Sequence, residues 1–162
     1  RGVMDNEYNG VYNEHFIEHL EKDEGIDFFR EMLRVMKPGG IIRTVWPPME
    51  FVDFLRSKED LTNHPFVQQY FNVYILKHKF APKGTEHLSP QLQCAEGLLY
   101  QNGEHKHLWY KGEMVDTLIK LGYQNIKEMP YMKSGVKDFN NIDTPGQIRM
   151  LHSAVIEASK PW

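Results

Sequence analysis

The amino-acid sequence predicts an α/β fold, and three features of its first part carry this prediction. Gly10–Asn13 and Ile41–Trp46 are apolar runs of a length typical of buried strands. Between them, Glu24–Met36 places apolar residues at helical spacing. A strand, a helix and a second strand within this span are typical of a crossover between parallel strands, which favours a mostly parallel sheet.

Sequence signals mark both ends of the predicted helix. Asp23 is a suitable N-cap, because its side chain can accept a hydrogen bond from the first turn. Lys37–Gly40 (Lys-Pro-Gly-Gly) predicts an abrupt end, since proline cannot continue a helix and glycine adopts tight turns. The second strand is expected to end at Pro47-Pro48.

The remainder of the chain also alternates helical and strand patterns. Residues 49–100 are mostly helical in pattern and are predicted to be an insertion within a single domain spanning residues 1–162. The elements predicted after the second strand are, in order, helices beginning at Phe51, spanning Pro65–His78, beginning at Ser89-Pro90 and spanning Lys111–Leu121, then strands over Asn125–Met129 and His152–Ala158.

Composition narrows the class of protein. The 162-residue chain has a formal net charge of −3, which gives no sign of binding nucleic acid through its phosphates. The single cysteine, Cys94, cannot form an internal disulfide, and the apolar runs are far shorter than a membrane span. We therefore expect a cytoplasmic protein.

Three segments carry a resemblance to a known family. Asn9–Leu20 reads NGVYNEHFIEHL, Phe28–Gly40 reads FFREMLRVMKPGG, and Ile42–Pro47 reads IRTVWP. In this order and spacing they resemble the middle of class I S-adenosylmethionine-dependent methyltransferases. The C-terminal part agrees, because a helix ending in Leu-Gly-Tyr (residues 121–123) followed by two strands resembles the close of that fold.

The resemblance implies a partial Rossmann-like methyltransferase fold, with the later strands of the sheet and an antiparallel last strand. It also implies S-adenosylmethionine as cofactor and an unidentified methyl acceptor as substrate. The family's glycine-rich cofactor loop does not occur upstream of Gly10, so we expect half of the cofactor site to precede residue 1. In the family the strand at Gly10–Asn13 pairs with the first strand, so we predict that this edge can pair with a second copy as a homodimer.

The resemblance also implies where the site lies. Asn13, Glu14 and His15 stand at the C-terminal end of the first visible strand, and in open α/β sheets ligands bind beyond the carboxyl ends of strands. We expect these residues to contact the cofactor or substrate, with His15 or Glu14 as a candidate base, although all three can instead order the loop. We also expect Trp46, Pro47 and His19 to wall a substrate pocket, with core packing the alternative for Trp46 and helix anchoring the alternative for His19.

Other interpretations of these residues remain open in the sequence. His15-x-x-Glu18-His19 matches the inverted zinc-protease pattern, which would make the chain a zinc hydrolase, but that pattern needs a long regular helix. His105 and His107, with His87 nearby in sequence, are predicted to lie in an exposed polar loop or edge strand, so we expect no metal site. A methyltransferase-like remnant that acts as a binding or structural module is the non-enzymatic alternative.

Overall fold

The computed structural model describes residues 2–162, which form a four-stranded mixed sheet flanked by helices. The strands are β1 (Tyr8–Glu14), β2 (Met36–Trp46), β3 (Gln124–Glu128) and β4 (Ala154–Ser159), in the order β1-β2-β4-β3. β1 and β2 are parallel, and β4 runs antiparallel to both β2 and β3. The predicted α/β class and the antiparallel last strand are therefore confirmed.

Helix α1 (Lys22–Val35) makes the crossover from β1 to β2. Its N-cap is Glu21 and not Asp23 as predicted, because Glu21 and Glu24 form a reciprocal capping box. The backbone N–H of Glu21 donates to Glu24 Oε2 at 3.0 Å. This pairing supplies acceptors for backbone N–H groups at the start of the helix. We had expected the Asp23 side chain to play that role.

The glycine turn lies inside β2 and not between the helix and the strand. Met36 already pairs with Tyr8, although we predicted it as the last residue of the helix, and the next pair is Gly10 with Ile41. The extra residues on β2 form a bulge, where Gly39 has φ +74, a left-handed conformation that glycine adopts without strain.

Residues 49–100 are mostly helical, as the pattern predicts, and their being an insertion stays a prediction. This segment contains α2 (Met49–Leu55), α3 (Pro65–Tyr70) continuing into a π-helical turn over Phe71–Lys77, and α4 (Pro90–Tyr100). Helix α5 (Lys111–Leu121) then ends on Gly122, whose φ of +96 is left-handed.

The last strand begins later than predicted. Gln147–His152 forms helix α6, so His152 ends a helix and does not begin β4. The ring Nδ1 of His152 bonds the carbonyl oxygen of Ile148, and the backbone N–H of Ser153 donates to the Arg149 carbonyl at 2.9 Å. These bonds complete the last turn of α6. The apolar pattern of residues 152–158 predicts only a strand, so the sequence did not indicate this turn.

Two hydrophobic clusters fill the interior. One lies between the sheet and helices α1 and α5, with Phe29, Trp46 and Trp109 fully buried. The other joins the helices of residues 49–100 around Leu55, Phe66 and Cys94. Burying each large apolar side chain contributes about 1.5–3 kcal/mol, so both clusters make substantial contributions to stability.

A buried cluster of charges ties the β3–α6 loop to the sheet. The guanidinium of Arg43, on β2, has no exposed surface. It donates to Asp143 Oδ1 at 2.8 Å, to Glu157 Oε1 at 2.7 Å and to the Lys133 carbonyl at 3.0 Å. Because each buried charge finds an opposite charge or a carbonyl, the cluster avoids the large cost of an isolated buried ion.

Within residues 2–162, no helix is both long enough and apolar enough to span a bilayer. The predicted cytoplasmic location stays a prediction.

Candidate functional site

A cavity of about 200 Å³ lies beyond the carboxyl ends of β1 and β2. The loop after β1 supplies His15, Glu18 and His19, and Pro47 follows β2. The helical segment and the turn after it supply Tyr70, Tyr74, Phe80, Leu98 and Gln101, and the remaining lining residues are His105, Ile148, Arg149 and His152. Ligands of open α/β sheets bind at this edge. The helices of residues 49–100 cover the edge and make it a pocket, so Tyr70, Tyr74 and Phe80 line a cavity as well as packing in a core.

His15 is held at both ring nitrogens. Its Nε2 lies 2.8 Å from Ser153 Oγ, and its Nδ1 lies 3.3 Å from Glu18 Oε1. Its backbone N–H extends the β1–β2 ladder to the Val45 carbonyl, yet its φ is +48. A left-handed histidine is uncommon and costs energy, so the surrounding contacts must hold this loop in place.

Glu14 serves as an acceptor for several donors. Its carboxylate accepts the hydroxyls of Tyr12 at 2.7 Å and Tyr131 at 2.6 Å, and both the backbone N–H and the hydroxyl of Thr144. Burial alone would raise the pKa of Glu14, but the hydrogen bonds from Thr144, Tyr131 and Tyr12 lower it to about 2. A carboxylate with so low a pKa is a weak base, and here it clamps the end of β1 to the β3–α6 loop.

Asn13 and Trp46 face the interior. Asn13 Nδ2 donates to Thr44 Oγ1 at 3.0 Å, while its Oδ1 is buried without a hydrogen-bond partner in the structure. Trp46 is fully buried and its Nε1 donates to the Trp109 carbonyl at 3.0 Å. Trp46 therefore belongs to the core and not to the pocket wall as we expected, whereas Pro47 and His19 do line the cavity.

The His15-x-x-Glu18-His19 segment does not form the inverted zinc-protease motif. That motif needs both histidines on one regular helix. Here His15 has a left-handed backbone, and only Ile17–His19 form a short 3₁₀ turn. His15 Nδ1 instead faces Glu18, so the zinc-hydrolase alternative loses its structural basis.

Three further residues line the cavity: Glu18 and His105, which the sequence raised only in connection with metal binding, and His152, which it placed at the start of a strand. Glu18 is fully buried, and neither carboxylate oxygen has a hydrogen-bond partner. His105 is 9% exposed and its Nδ1 bonds the Leu98 carbonyl, so our exposed-loop prediction was wrong for this residue. His107 lies elsewhere, against Glu113 at 3.1 Å, and His87 is exposed.

The buried histidines of the cavity are neutral. Burial lowers the pKa of His105, against the opposing charge of Glu18, and burial lowers the pKa of His152 to about 3. Each therefore presents an uncharged imidazole near neutral pH.

Comparison with known proteins finds structural likeness only. No family model matches the chain, and no curated protein matches it in sequence. A possible exported protein from Bordetella parapertussis aligns with 99% of this chain and 41% of its own, at TM-score 0.51 and 13% identity. A S-adenosylmethionine-dependent methyltransferase from Archaeoglobus fulgidus aligns with 98% of this chain and 62% of its own, at TM-score 0.49 and 14% identity.

The chain thus spans less than two thirds of either of these structures. At 13% identity, the likeness to the Bordetella protein shows a shared fold and nothing about activity. The antiparallel last strand, β4, is what the resemblance to class I methyltransferases implied, whereas the strand order β1-β2-β4-β3 was not predicted. Residues 2–162 thus form a partial Rossmann-like α/β fold, as the resemblance in sequence implied.

Proposed function

We propose that this chain forms the acceptor-side part of a S-adenosylmethionine-dependent methyltransferase. The observation that carries the proposal is the cavity at the carboxyl ends of two parallel strands, reached directly from the Asn13–His15 loop. This loop is the one that the family resemblance assigns to cofactor and substrate. The cavity combines aromatic side chains with several histidines and charged groups, which could fix the orientation of a small molecule.

The residues present fit a cofactor beside the end of β1. Asn13 Oδ1 is a buried acceptor without a partner, which suits a ligand that brings a hydrogen-bond donor. When bound, S-adenosylmethionine supplies an electrophilic methyl group on a sulfonium. Asn13, which lies outside the cavity lining, would reach the cofactor only from the end of β1, while the Glu14 clamp would fix the loop that faces the cofactor.

His15 is the residue best placed to move a proton. Methylation of a hydroxyl or amine acceptor would release a proton from that acceptor. The His15 imidazole would take that proton, and the Glu18 carboxylate, 3.3 Å from Nδ1, would stabilise the resulting cation. The acceptor is a hydroxyl or amine compound small enough for a cavity of about 200 Å³.

Calorimetry on the full-length gene product tests the proposal. We expect S-adenosylhomocysteine to bind with a dissociation constant on the order of micromolar. His15→Ala should retain this binding but reduce methyl transfer to a panel of hydroxyl and amine acceptors by about 10²–10⁴-fold. His87→Ala, an exposed histidine outside the cavity, is the control and should leave both unchanged.

Absence of any binding of S-adenosylhomocysteine would sink the methyltransferase proposal. The non-enzymatic alternative, a methyltransferase-like binding or structural module, would then be favoured. Normal turnover in His15→Ala would exclude only the role of His15 as base.

A further inference from the structure

We propose that Glu18, His19 and His105 form a binding site for a divalent transition-metal ion at the floor of the cavity. One ligand atom from each side chain lies within 4.8 Å of the other two. Ligand bonds of about 2.0–2.2 Å would require these atoms to draw in by roughly an ångström, which small side-chain rotations can supply. The site combines the loop after β1 with the segment that follows α4.

The carboxylate of Glu18 lacks the partners that a buried charge requires. The side chain is fully buried, and both of its oxygens lack a hydrogen-bond partner. His15 Nδ1 lies 3.3 Å from Oε1 but does not form a hydrogen bond with it. A buried carboxylate without partners is strongly unfavourable, and a cation in the adjacent cavity would satisfy it.

His19 and His105 are both oriented by a backbone carbonyl at Nδ1. His19 Nδ1 lies 3.2 Å from the Glu104 carbonyl, and His105 Nδ1 bonds the Leu98 carbonyl. A carbonyl can only accept, so each Nδ1 carries the proton and each Nε2 keeps a free lone pair. Metal-binding histidines are typically fixed in this way, with one ring nitrogen on a backbone carbonyl and the other on the ion.

Backbone hydrogen bonds already join the loop after β1 to the segment that follows α4. The Glu18 carbonyl accepts the N–H of Lys106 at 2.8 Å and that of His107 at 3.3 Å. The rings of His19 and His105 pack edge to face, with centroids 4.9 Å apart. The three side chains are therefore held close together before any ion binds, which lowers the entropic cost of binding.

The ligand set selects the class of ion. Two imidazoles with one carboxylate suit Zn²⁺ or Fe²⁺, whereas Mg²⁺ and Ca²⁺ prefer all-oxygen sites. Three protein ligands leave coordination positions open toward the cavity. There the Tyr70 hydroxyl is a further buried group without a partner.

An ion at this place would bind an oxygen of the methyl acceptor and favour its deprotonation. This role rests on the proposed function, whereas binding of the ion rests only on the three ligands. The two proposals can therefore fail separately.

Metal titration of the chelator-treated protein tests the site. We expect Zn²⁺ to bind with a stoichiometry of one by calorimetry, and Co²⁺ to give visible absorption bands that Zn²⁺ displaces. Glu18→Gln and His105→Asn should each weaken binding by at least about 10-fold, the low end for disturbing even a supporting contact of a metal site. The asparagine amide can still donate to the Leu98 carbonyl, so His105→Asn removes the ligand with little loss of local structure.

His87→Asn is the matched control, because His87 is exposed and lies outside the cavity. It should bind Zn²⁺ as tightly as the unmodified chain. Circular dichroism verifies that each variant folds, and His19→Asn replaces any variant that does not.

Substoichiometric binding to the unmodified chain, or equal affinity in folded Glu18→Gln and His105→Asn, would overturn the site. Calorimetry with S-adenosylhomocysteine on the same metal-free protein separates the proposals. Cofactor binding without metal binding removes only the metal site, and metal binding without cofactor binding removes only the methyltransferase function.

Discussion

Glu14 and Glu18 differ in what their surroundings allow a carboxylate to do. Glu14 accepts hydrogen bonds from Tyr12, Tyr131 and Thr144, which lower its pKa to about 2 despite burial. Glu18 is fully buried, and neither of its oxygens has a partner. The first is therefore a structural anion, and the second is available to a ligand or to a protonated neighbour.

Glu14→Gln should reduce stability in a pH-dependent way. The pKa of Glu14 is depressed from 4.5 to about 2, so its contribution is fully present above pH 4.5 and is lost as the pH falls toward 2. At pH 7 we expect the substitution to lower the free energy of unfolding by about 1–3 kcal/mol. Urea unfolding of both proteins at pH 7, 4 and 3 measures the difference, which should shrink with falling pH. A difference that stays constant across this range would show that the charge of Glu14 does not stabilise the fold.

At the residue level, the sequence predicted where site residues lie along the strands better than it predicted their burial and their contacts. The strand-end location of Asn13, Glu14 and His15 followed from the apolar run before them and from the family resemblance. The burial of Glu18 and His105 did not, because it depends on packing between segments that are distant in sequence. No local pattern distinguishes a histidine that packs on a carbonyl from one in water.

At the level of elements, the bulge in β2 decides how the crossover closes. Lys37–Gly40 loops out of the strand between the Tyr8–Met36 and Gly10–Ile41 pairs. A Cβ at Gly40 would lie 2.8 Å from the Lys37 carbonyl oxygen and 3.1 Å from that of Asn9. Because both neighbours are backbone atoms, neither can move without disturbing the pairing of β1 with β2.

Gly40→Ala should therefore destabilise the protein by about 1–3 kcal/mol, the usual range for an overpacked site. Gly112→Ala is the matched control, since Gly112 lies in α5 and a Cβ there meets nothing within 4 Å. That change should be neutral or stabilise by up to about 1 kcal/mol, because alanine favours helix. Thermal unfolding followed by circular dichroism compares the two variants, and equal effects would contradict this reading of the bulge.

Element boundaries were harder to predict than elements. Every predicted helix has a counterpart, yet Asp23 is not the N-cap of α1, Met36 belongs to β2, and His152 belongs to α6. In each case a specific hydrogen bond or strand pair displaces the boundary by a residue or more. Such contacts form only after the tertiary structure brings the partners together.

At the level of the whole molecule, β1 is an edge strand of the sheet formed by residues 2–162. The His15 N–H points to β2, where it meets the Val45 carbonyl. Because backbone groups alternate along a strand, the Tyr12 N–H points outward. Edges of this kind readily pair with another chain.

We therefore expect the isolated 162-residue chain to form a dimer through β1. Tyr12→Pro should shift it to monomer, since proline removes the outward N–H while leaving the β1–β2 ladder. Tyr12→Phe is the control, because it also loses the hydroxyl that binds Glu14 but keeps the backbone donor. Sedimentation velocity over a range of concentrations measures the result. A monomer at every concentration in the unmodified chain would refute the prediction.

The buried charges around Arg43 couple the fold to the cavity. Arg43 sits on β2, and the groups that neutralise it come from β4 and from the loop that leads into α6, whose residues wall the pocket. Detaching that loop would take Asp143 and the Lys133 carbonyl away from Arg43 and leave Glu157 alone to balance the buried cation, which costs more than losing a surface contact. Local opening of the loop around Asp143 is thereby opposed, so the amide hydrogen of Met132, which donates to Asp143 Oδ2 at 2.6 Å, should exchange with solvent more slowly than the amides of the exposed loop residues. We therefore expect this part of the pocket wall to open together with the sheet.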